Sequence, residues 1–526
     1  MGRTEFTVMN GNNPYLNQID RVLPRILALY DKNPVSPTIG LGDRYYWSWK
    51  LTDFGNATFQ GAANGLARLL NANLLPEKIE KKVIIKRILH MVNAVATIRD
   101  SNGSLGEAFP HESSFCVTAL VAYDLLTTVQ TLANELSDAD REKILVEISP
   151  LIRFLHNSDE SHGLISNHLA TAAAALYKYH ALTGENSCAR GRLFLDRIIS
   201  HQSSEGWYME YEGADPGYQS LCTYYLADLH HLRPDLELQD SLTRSVRFLC
   251  HFAHPDGSFG GVYGSRNTRF YFPGGLELLR NEIPEAGMLA DYMRSSISSY
   301  STVTLETMDE PNLIPMFNTY CLAAVLHKPE PTKKELLPCN DNDQKLLKFQ
   351  KAGIVICGDS KSYTVISTHK GGVCYHFSKV KNKNIIDTGI VCSNKKGTFF
   401  TTQAFQKDNE VIIGIDKIKI SVPLVQVNDS LPTPSQFIFL RFLNITVMRS
   451  LMINNLVKKF LVWLLFKRKR ISKVVNQRTI MFGEKFIIAD ELLNKPSNWQ
   501  KLKIDMPFVA TQMASQGYWQ KQDDAT

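Results

Sequence analysis

Three short stretches combine polar donors, an ionisable ring and paired guanidinium groups at the starts of apolar runs. SNHLATAAAALYKY sets Asn167 and His168 directly ahead of an alanine-rich segment. Asparagine is a good helix cap, and the histidine beside it adds a group that titrates near neutral pH. GADPGYQS places Tyr218 at the equivalent point of the next such segment, behind Glu210, Tyr211 and Glu212. A lone helical tyrosine is usually packing; its equivalence to the Asn167-His168 position singles this one out. GGVYGSRNTRFYFPGG holds Tyr263, Arg266, Asn267 and Arg269 between glycine pairs. Two arginines on a glycine-rich loop suit a carboxylate or sulfate, which guanidinium binds bidentately, although a solvated turn has the same composition. FPHESSF contributes His111, Glu112 and Ser113, while Trp47, Trp49 and Gln60 lie further upstream. Indoles exposed in a cleft offer flat apolar faces for ring stacking. Glu112, Glu210, Glu212 and Asp215 also leave open a carboxylate pair of the hydrolytic kind.

Those residues fall in a repeated frame. Five segments begin with a glycine-containing polar loop and run into an apolar helix, at Asp53, Asp100, Asp159, Ser203 and His254. Their marker glycines, Gly55, Gly103, Gly163, Gly206 and Gly257, are 48, 60, 43 and 51 residues apart. Roughly fifty residues is the length of two helices and two loops. Between the marked helices lie amphipathic stretches such as KKVIIKRILHMVNAVATI and REKILVEISPLIRFLH, apolar on one face. The marked helices are apolar nearly all round and belong inside. Five to seven such hairpins, closed into a ring, form an α/α toroid whose glycine loops converge at one mouth.

Past HKPEPTKKELLP the pattern changes to Val, Ile, Thr, Tyr and Phe between glycine turns, as in KAGIVICGDSKSYTVISTHKGGVCYHF. These read as antiparallel strands. The expected organisation is therefore an α+β multidomain chain, with an α/α toroid over residues 1–330 and a β-sandwich over 340–526. The 526 residues and 44% apolar content suit two large cores. The net charge of +6 suits an acidic ligand without arguing for nucleic acid, because the basic residues form no long tracts apart from Lys467–Arg470 with Lys458 and Lys459. Between those clusters FLVWLLF is too short to span a bilayer. A buried element is the favoured reading there, and peripheral membrane contact near 456–470 the alternative. Nine scattered cysteines, with no CxxC pair, indicate free thiols and no metal site. No secretory signal is read at the N-terminus, so a cytoplasmic location is expected.

SNHLA, DPGYQ and a trailing β domain containing HKGGVCYHF and IIDTG resemble the heparinase II/III-like and alginate-lyase-like polysaccharide lyases. The resemblance implies β-elimination on a uronate-containing acidic polysaccharide or oligosaccharide, in exopolysaccharide or capsule metabolism, without a cofactor. It implies that Asn167 and His168 neutralise the uronate carboxylate, that Tyr218 serves as base and acid, and that His376, or else His369, comes from the β domain. Arg266, Arg269, Tyr263, Glu112, His111, Trp49 and Gln60 would then bind substrate. The family's HxHxD stretch is absent; GGVCYHFSK precedes IIDTG instead. A uronate C5-epimerase, a glycoside hydrolase and a non-catalytic glycan-binding or assembly protein remain the alternatives.

Overall fold

In the computed structural model, residues 13–328, 336–343, 345–381, 384–427, 431, 433–450, 453, 456–457, 470–482 and 485–520 are described. The charged, proline-rich stretch read as a linker and the basic-flanked apolar run lie largely outside them.

Alternation of apolar and amphipathic helices becomes two concentric layers. The inner helices are α3 (Ala62–Asn71), α5 (Phe115–Thr131), α7 (Ser166–Thr183), α9 (Pro216–Leu232), α11 (Gly274–Leu279) and α13 (Glu310–Leu326). Each packs on the next, and α13 returns to α3, closing the ring. Asn318 seals that closure, accepting from Gly65 N at 2.9 Å and donating to Gly61 O at 2.9 Å. The outer layer is α1 (Pro14–Leu29), α4 (Lys81–Ile98), α6 (Asp138–Asn157), α8 (Cys188–Ser200), α10 (Gln239–Leu249) and α12 (Pro284–Ser298), each against one inner helix. A single turn, α2 (Arg44–Trp47), stands at the rim. The toroid thus has six hairpins. The sixth inner helix escapes the glycine pattern because Asp309 caps it instead, accepting from Asn312 N.

Side-chain size explains the layering. In α7 the run Ala170–Ala175 is buried, which lets α5 and α9 approach closely on either side. Loop glycines set the distance to the outer layer. Gly103 (φ +89°) and Gly206 (φ +102°) lie so close to outer helices that a Cβ would sit 2.1 and 2.3 Å from the carbonyl oxygens of Pro150 and Arg244. The repeat therefore needs glycine there for space as well as for backbone angle. Toward the C-terminal ends of the inner helices, Lys178 pairs with Asp228 at 2.8 Å and Tyr123 donates to Asp228 at 2.9 Å.

The last toroid helix ends at Leu326 and the first strand begins at Lys345. Strands β1 (Lys345–Phe349), β2 (Ile354–Gly358), β3 (Ser362–Ser367), β4 (Val373–Ser378) and β5 (Asn384–Asp387) form one antiparallel meander in sequence order. The second sheet contains β6 (Val391–Ser393), β7 (Phe399–Thr401), β8 (Glu410–Ile413), β9 (Lys417–Gln426), β10 (Ile471–Phe482), β11 (Phe486–Leu493) and β12 (Gln500–Lys501). It runs β11-β10-β9-β7-β6-β12, with β8 also on β9. Helix α14 (Pro434–Ile445) follows β9.

The central strands β2, β3 and β4 of the first sheet are buried on both faces. Val355, Cys357, Ile366 and Cys374 meet Ile418, Ile420 and Ile480 of the second sheet. The alternate residues Ile354, Ile356, Val365, Val373 and Tyr375 join the toroid core. Hence IVIC is continuously apolar, whereas β9 alternates. This places a sheet directly beneath the fifth repeat's glycine loop.

Gly206→Ala is expected to cost roughly 3 kcal/mol of stability, because carbonyl and Cβ cannot share that space. Gly184→Ala, also at positive φ but with nothing within 4 Å of its Cβ, should cost only about 1 kcal/mol. Urea unfolding followed by circular dichroism compares the two; equal losses would refute the close-approach argument.

Candidate active site

Two buried carboxylates stitch the third, fourth and fifth repeats together at the loop mouth. Asp215 caps α9 by accepting from Tyr218 N at 3.2 Å, and also accepts from Arg266 N at 2.9 Å. The Thr268 hydroxyl donates to it as well. Glu210 holds α7 in the same manner from across a loop, accepting from Asn167 N at 3.1 Å and from both contacts of Asn167 Nδ2 at 2.9 Å. Asn167 is therefore no side-chain cap; its amide is spent on Glu210, and a carboxylate from the next repeat satisfies the helix start.

Between these anchors lies Arg266. Its guanidinium carbon sits 4.2 Å from the ring centre of Tyr218 and 4.6 Å from that of Tyr211. Two aromatic faces thus flank one cation. Nη2 donates to Tyr218 Oη at 3.4 Å, and Nε faces Met513 Sδ at 3.1 Å. Nη1 is buried and makes no hydrogen bond among the described residues; its nearest carboxylate oxygen, on Glu210, is 3.9 Å away. A buried guanidinium donor needs an acceptor, which an anion or a water can supply.

The carboxyl–histidine pair beside it was not legible as a pair. Glu160 accepts from His168 Nδ1 at 2.6 Å and from His162 Nδ1 at 2.8 Å. Burial would raise Glu160, but the two imidazole hydrogen bonds outweigh it and hold the carboxyl well below its usual range. With Nδ1 committed, His168 keeps Nε2 for other work. Glu160 acts electrostatically on both Tyr211 and Cys116, and Cys116 also feels Arg266, so all belong to this mouth. Glu160 stands in the DESHG loop that marks the third repeat, and only folding selects it from that loop's other acids.

Burial lifts the Tyr218 phenol above the ordinary tyrosine value, although Arg266 and Ser515 pull it down. Arg266 thus favours the phenolate and is outweighed, leaving the resting phenol protonated. Burial also raises Glu210 to about 7, against Arg266 and Asn167.

The remaining sequence-predicted residues fall in several places. Arg269 acts electrostatically on Tyr518, near the Arg266 loop. Glu112 accepts from Glu107 N and Ala108 N, each at 2.8 Å, and His111 meets Asp100 at 3.0 Å, in the second-repeat loop. Trp49 is exposed on the rim. Gln60 is not presented to a ligand: it is fully buried and bridges Gly40, Gly42 and Met91. Tyr263 is also buried, its hydroxyl 2.9 Å from His254 Nε2. His376 meets Thr364 at 2.8 Å and stacks on Phe486, sharing no partner with the mouth. His369 packs against Phe405, which in turn lies under Gly213 of the Glu210 loop.

What the β domain does supply is Lys370. Its buried ammonium donates to Val262 O at 2.6 Å and Gly264 O at 3.2 Å, and also reaches the Asn267 side chain. Burial lowers it to about 7. Lys370 braces the loop bearing Arg266. The C-terminal stretch also crosses the mouth: Asn267 Nδ2 donates to Thr511 O at 3.3 Å, and the Tyr518 hydroxyl donates to Asn267 O at 3.3 Å. The sequence offered no sign of this.

No family model matches the chain, and no curated protein matches it. Its fold is similar to that of solved polysaccharide lyases. Heparinase III aligns over 92% of this chain and 78% of its own at 11% identity, with a TM-score of 0.47. The chondroitin AC lyase of Streptomyces coelicolor A3, solved with chondroitin sulphate, covers 82% of this chain and 69% of its own at 10% identity and TM-score 0.47. A Paenibacillus xanthan lyase covers 79% and 46% at 10% identity and TM-score 0.45. These likenesses concern the fold alone. Among the described residues no cluster of metal-ligating side chains occurs, and no helix is long and apolar enough to cross a membrane.

Because the folded value of Glu210 lies above the ordinary 4.5, the native state holds that proton more tightly than the unfolded chain does. Its stabilising contribution is full below about 4.5 and is lost as pH rises to about 7. Stability of wild type measured against Glu210→Gln across that interval should therefore fall progressively; a constant difference would refute the buried, raised carboxyl.

Proposed function

We propose that this protein is a polysaccharide lyase that cleaves a uronate-containing acidic glycan by β-elimination. The observation that carries the reading is the buried Arg266 Nη1, without a hydrogen-bond acceptor beside the Tyr218 hydroxyl. A uronate carboxylate supplies the missing acceptor. Seated there, it directs the sugar toward a phenol and an imidazole on the first turns of α9 and α7, which pack together.

The chemistry follows from the protonation states. Uronate C5–H is weakly acidic, and its removal pushes charge onto the carboxylate. Arg266 stabilises that enolate-like charge in a site with little water to screen it. His168, its Nδ1 engaged by Glu160, takes the C5 proton on Nε2. The C4–O bond breaks as the C4–C5 double bond forms. Tyr218, held protonated by burial, gives its proton to the departing oxygen. Asn167 acts through Glu210 and is a positioning residue. This divides between two side chains the acid and base work that the family resemblance assigned to Tyr218 alone.

Hydrolysis is less well supported. Glu210 and Asp215 are fully buried and engaged by protein donors, so neither is offered to a glycosidic oxygen or a water. An exopolysaccharide or capsule setting remains part of the proposal only in its substrate class.

The test is an ultraviolet time course with a panel of uronate polymers. Absorbance from an unsaturated uronate should appear with wild type, and fall at least about 100-fold in Tyr218→Phe and His168→Ala. Arg266→Lys should lose roughly 100-fold, because a point charge cannot replace the flat, two-faced clamp. Full activity in His168→Ala would return both proton transfers to Tyr218. New reducing ends without absorbance would sink elimination in favour of hydrolysis.

A further inference from the structure

Basic charge is distributed very unevenly along this chain. Residues 431–482 contain ten Lys and Arg and no Asp or Glu. The whole chain has 58 basic and 52 acidic residues, so everything outside this segment carries 48 against 52 and is net negative. The same segment contains the most apolar runs of the sequence. Nothing in the proposed elimination uses it.

Its described residues include strand β10 and, ahead of it, helix α14. Thr433 and Gln436 form a capping box at its start, so the helix is set by local sequence. One side is anchored to the toroid rim: Arg441 pairs with Asp53 and lies 5.7 Å over the Phe54 ring, and Asn444 is buried. Much of the rest of its surface is exposed among the described residues. Phe437, Ile438, Phe439 and Phe442 are 58, 69, 62 and 61% exposed. Four large apolar side chains within two helical turns form a patch of a kind that soluble monomers seldom leave open. Arg449, Arg470 and Lys473 are exposed on the chain beyond it.

We infer that α14 and its flanking basic residues form a docking surface for an anionic lipid bilayer. Aromatic and aliphatic side chains sink to the acyl boundary, while arginine and lysine meet the headgroups. The charge argues against a second copy of this chain as the occupant, because a symmetric pairing would bring two wholly basic segments together. The four exposed hydrocarbon side chains argue against a glycan, which has no use for them. This surface is fixed to the Asp53–Phe54 loop of the toroid rim.

Flotation of the full chain with lipid vesicles tests the inference, and does so without reference to catalysis. Binding is expected to vesicles containing phosphatidylglycerol, to fall at least about tenfold on phosphatidylcholine alone, and to weaken as salt is raised. The triple variant Phe437→Ser, Phe439→Ser, Phe442→Ser replaces only exposed side chains and should keep the wild-type melting temperature while losing flotation. Failure of the wild type to float with anionic vesicles overturns the inference. So does undiminished flotation of the folded triple variant, or equal binding to both lipids. A dimer in sedimentation that disappears in the triple variant would identify a second copy as the occupant instead.

Discussion

Asp215 is a carboxylate with no exposure to water, and two repeats depend on where it points. It accepts from the start of α9, from the backbone of Arg266 and from Thr268. A buried charge must be surrounded by donors, so the chain segments that bring those donors have little freedom. Burial raises its pKa, against the pull of these donors. The fifth-repeat loop has its conformation because this carboxylate requires it, and Arg266 is placed as a consequence.

The same principle recurs with a different outcome at Glu210 and Glu160. Glu210 meets one amide side chain and a guanidinium at 3.9 Å, and burial prevails. Glu160 meets two imidazoles within 2.8 Å, and the hydrogen bonds prevail. Three acids in one mouth thereby take three roles: a fixed anchor, a carboxyl poised near neutrality and a permanently ionised partner for His168. Composition treats them alike; only the count and distance of donors separates them.

Support for the site comes from outside the ring as well. The first sheet packs on the toroid through alternate residues of β2, β3 and β4, and the turn after β3 carries Lys370 into the carbonyls of the Arg266 loop. Residues in the loops of this mouth also hold left-handed backbone without being glycine: Tyr211 at φ +59° and Asn267 at φ +60°. Such strain persists where the surroundings over-determine the conformation, and here the β domain and the C-terminal stretch supply that constraint.

How much of this lay in the sequence differs by element. Apolar periodicity and glycine spacing determined the layered ring, because helix burial and close loop approach are local demands on residue type. Asn167, His168 and Tyr218 stand at equivalent points of the repeat, the starts of α7 and α9, whereas Arg266 lies in the loop ahead of α11. Partner choice was not legible. Asn167 looked like a cap and instead serves Glu210; Gln60 looked available and is buried; Tyr263 and His376 carry the right atoms and face other neighbours. Glu160, Lys370 and the stretch 511–518 joined the mouth across 8 to 251 residues of chain. Hydrogen bonds between segments distant in sequence leave no periodic trace, because each needs only one suitable atom at one place, and the tertiary fold alone decides which atom arrives.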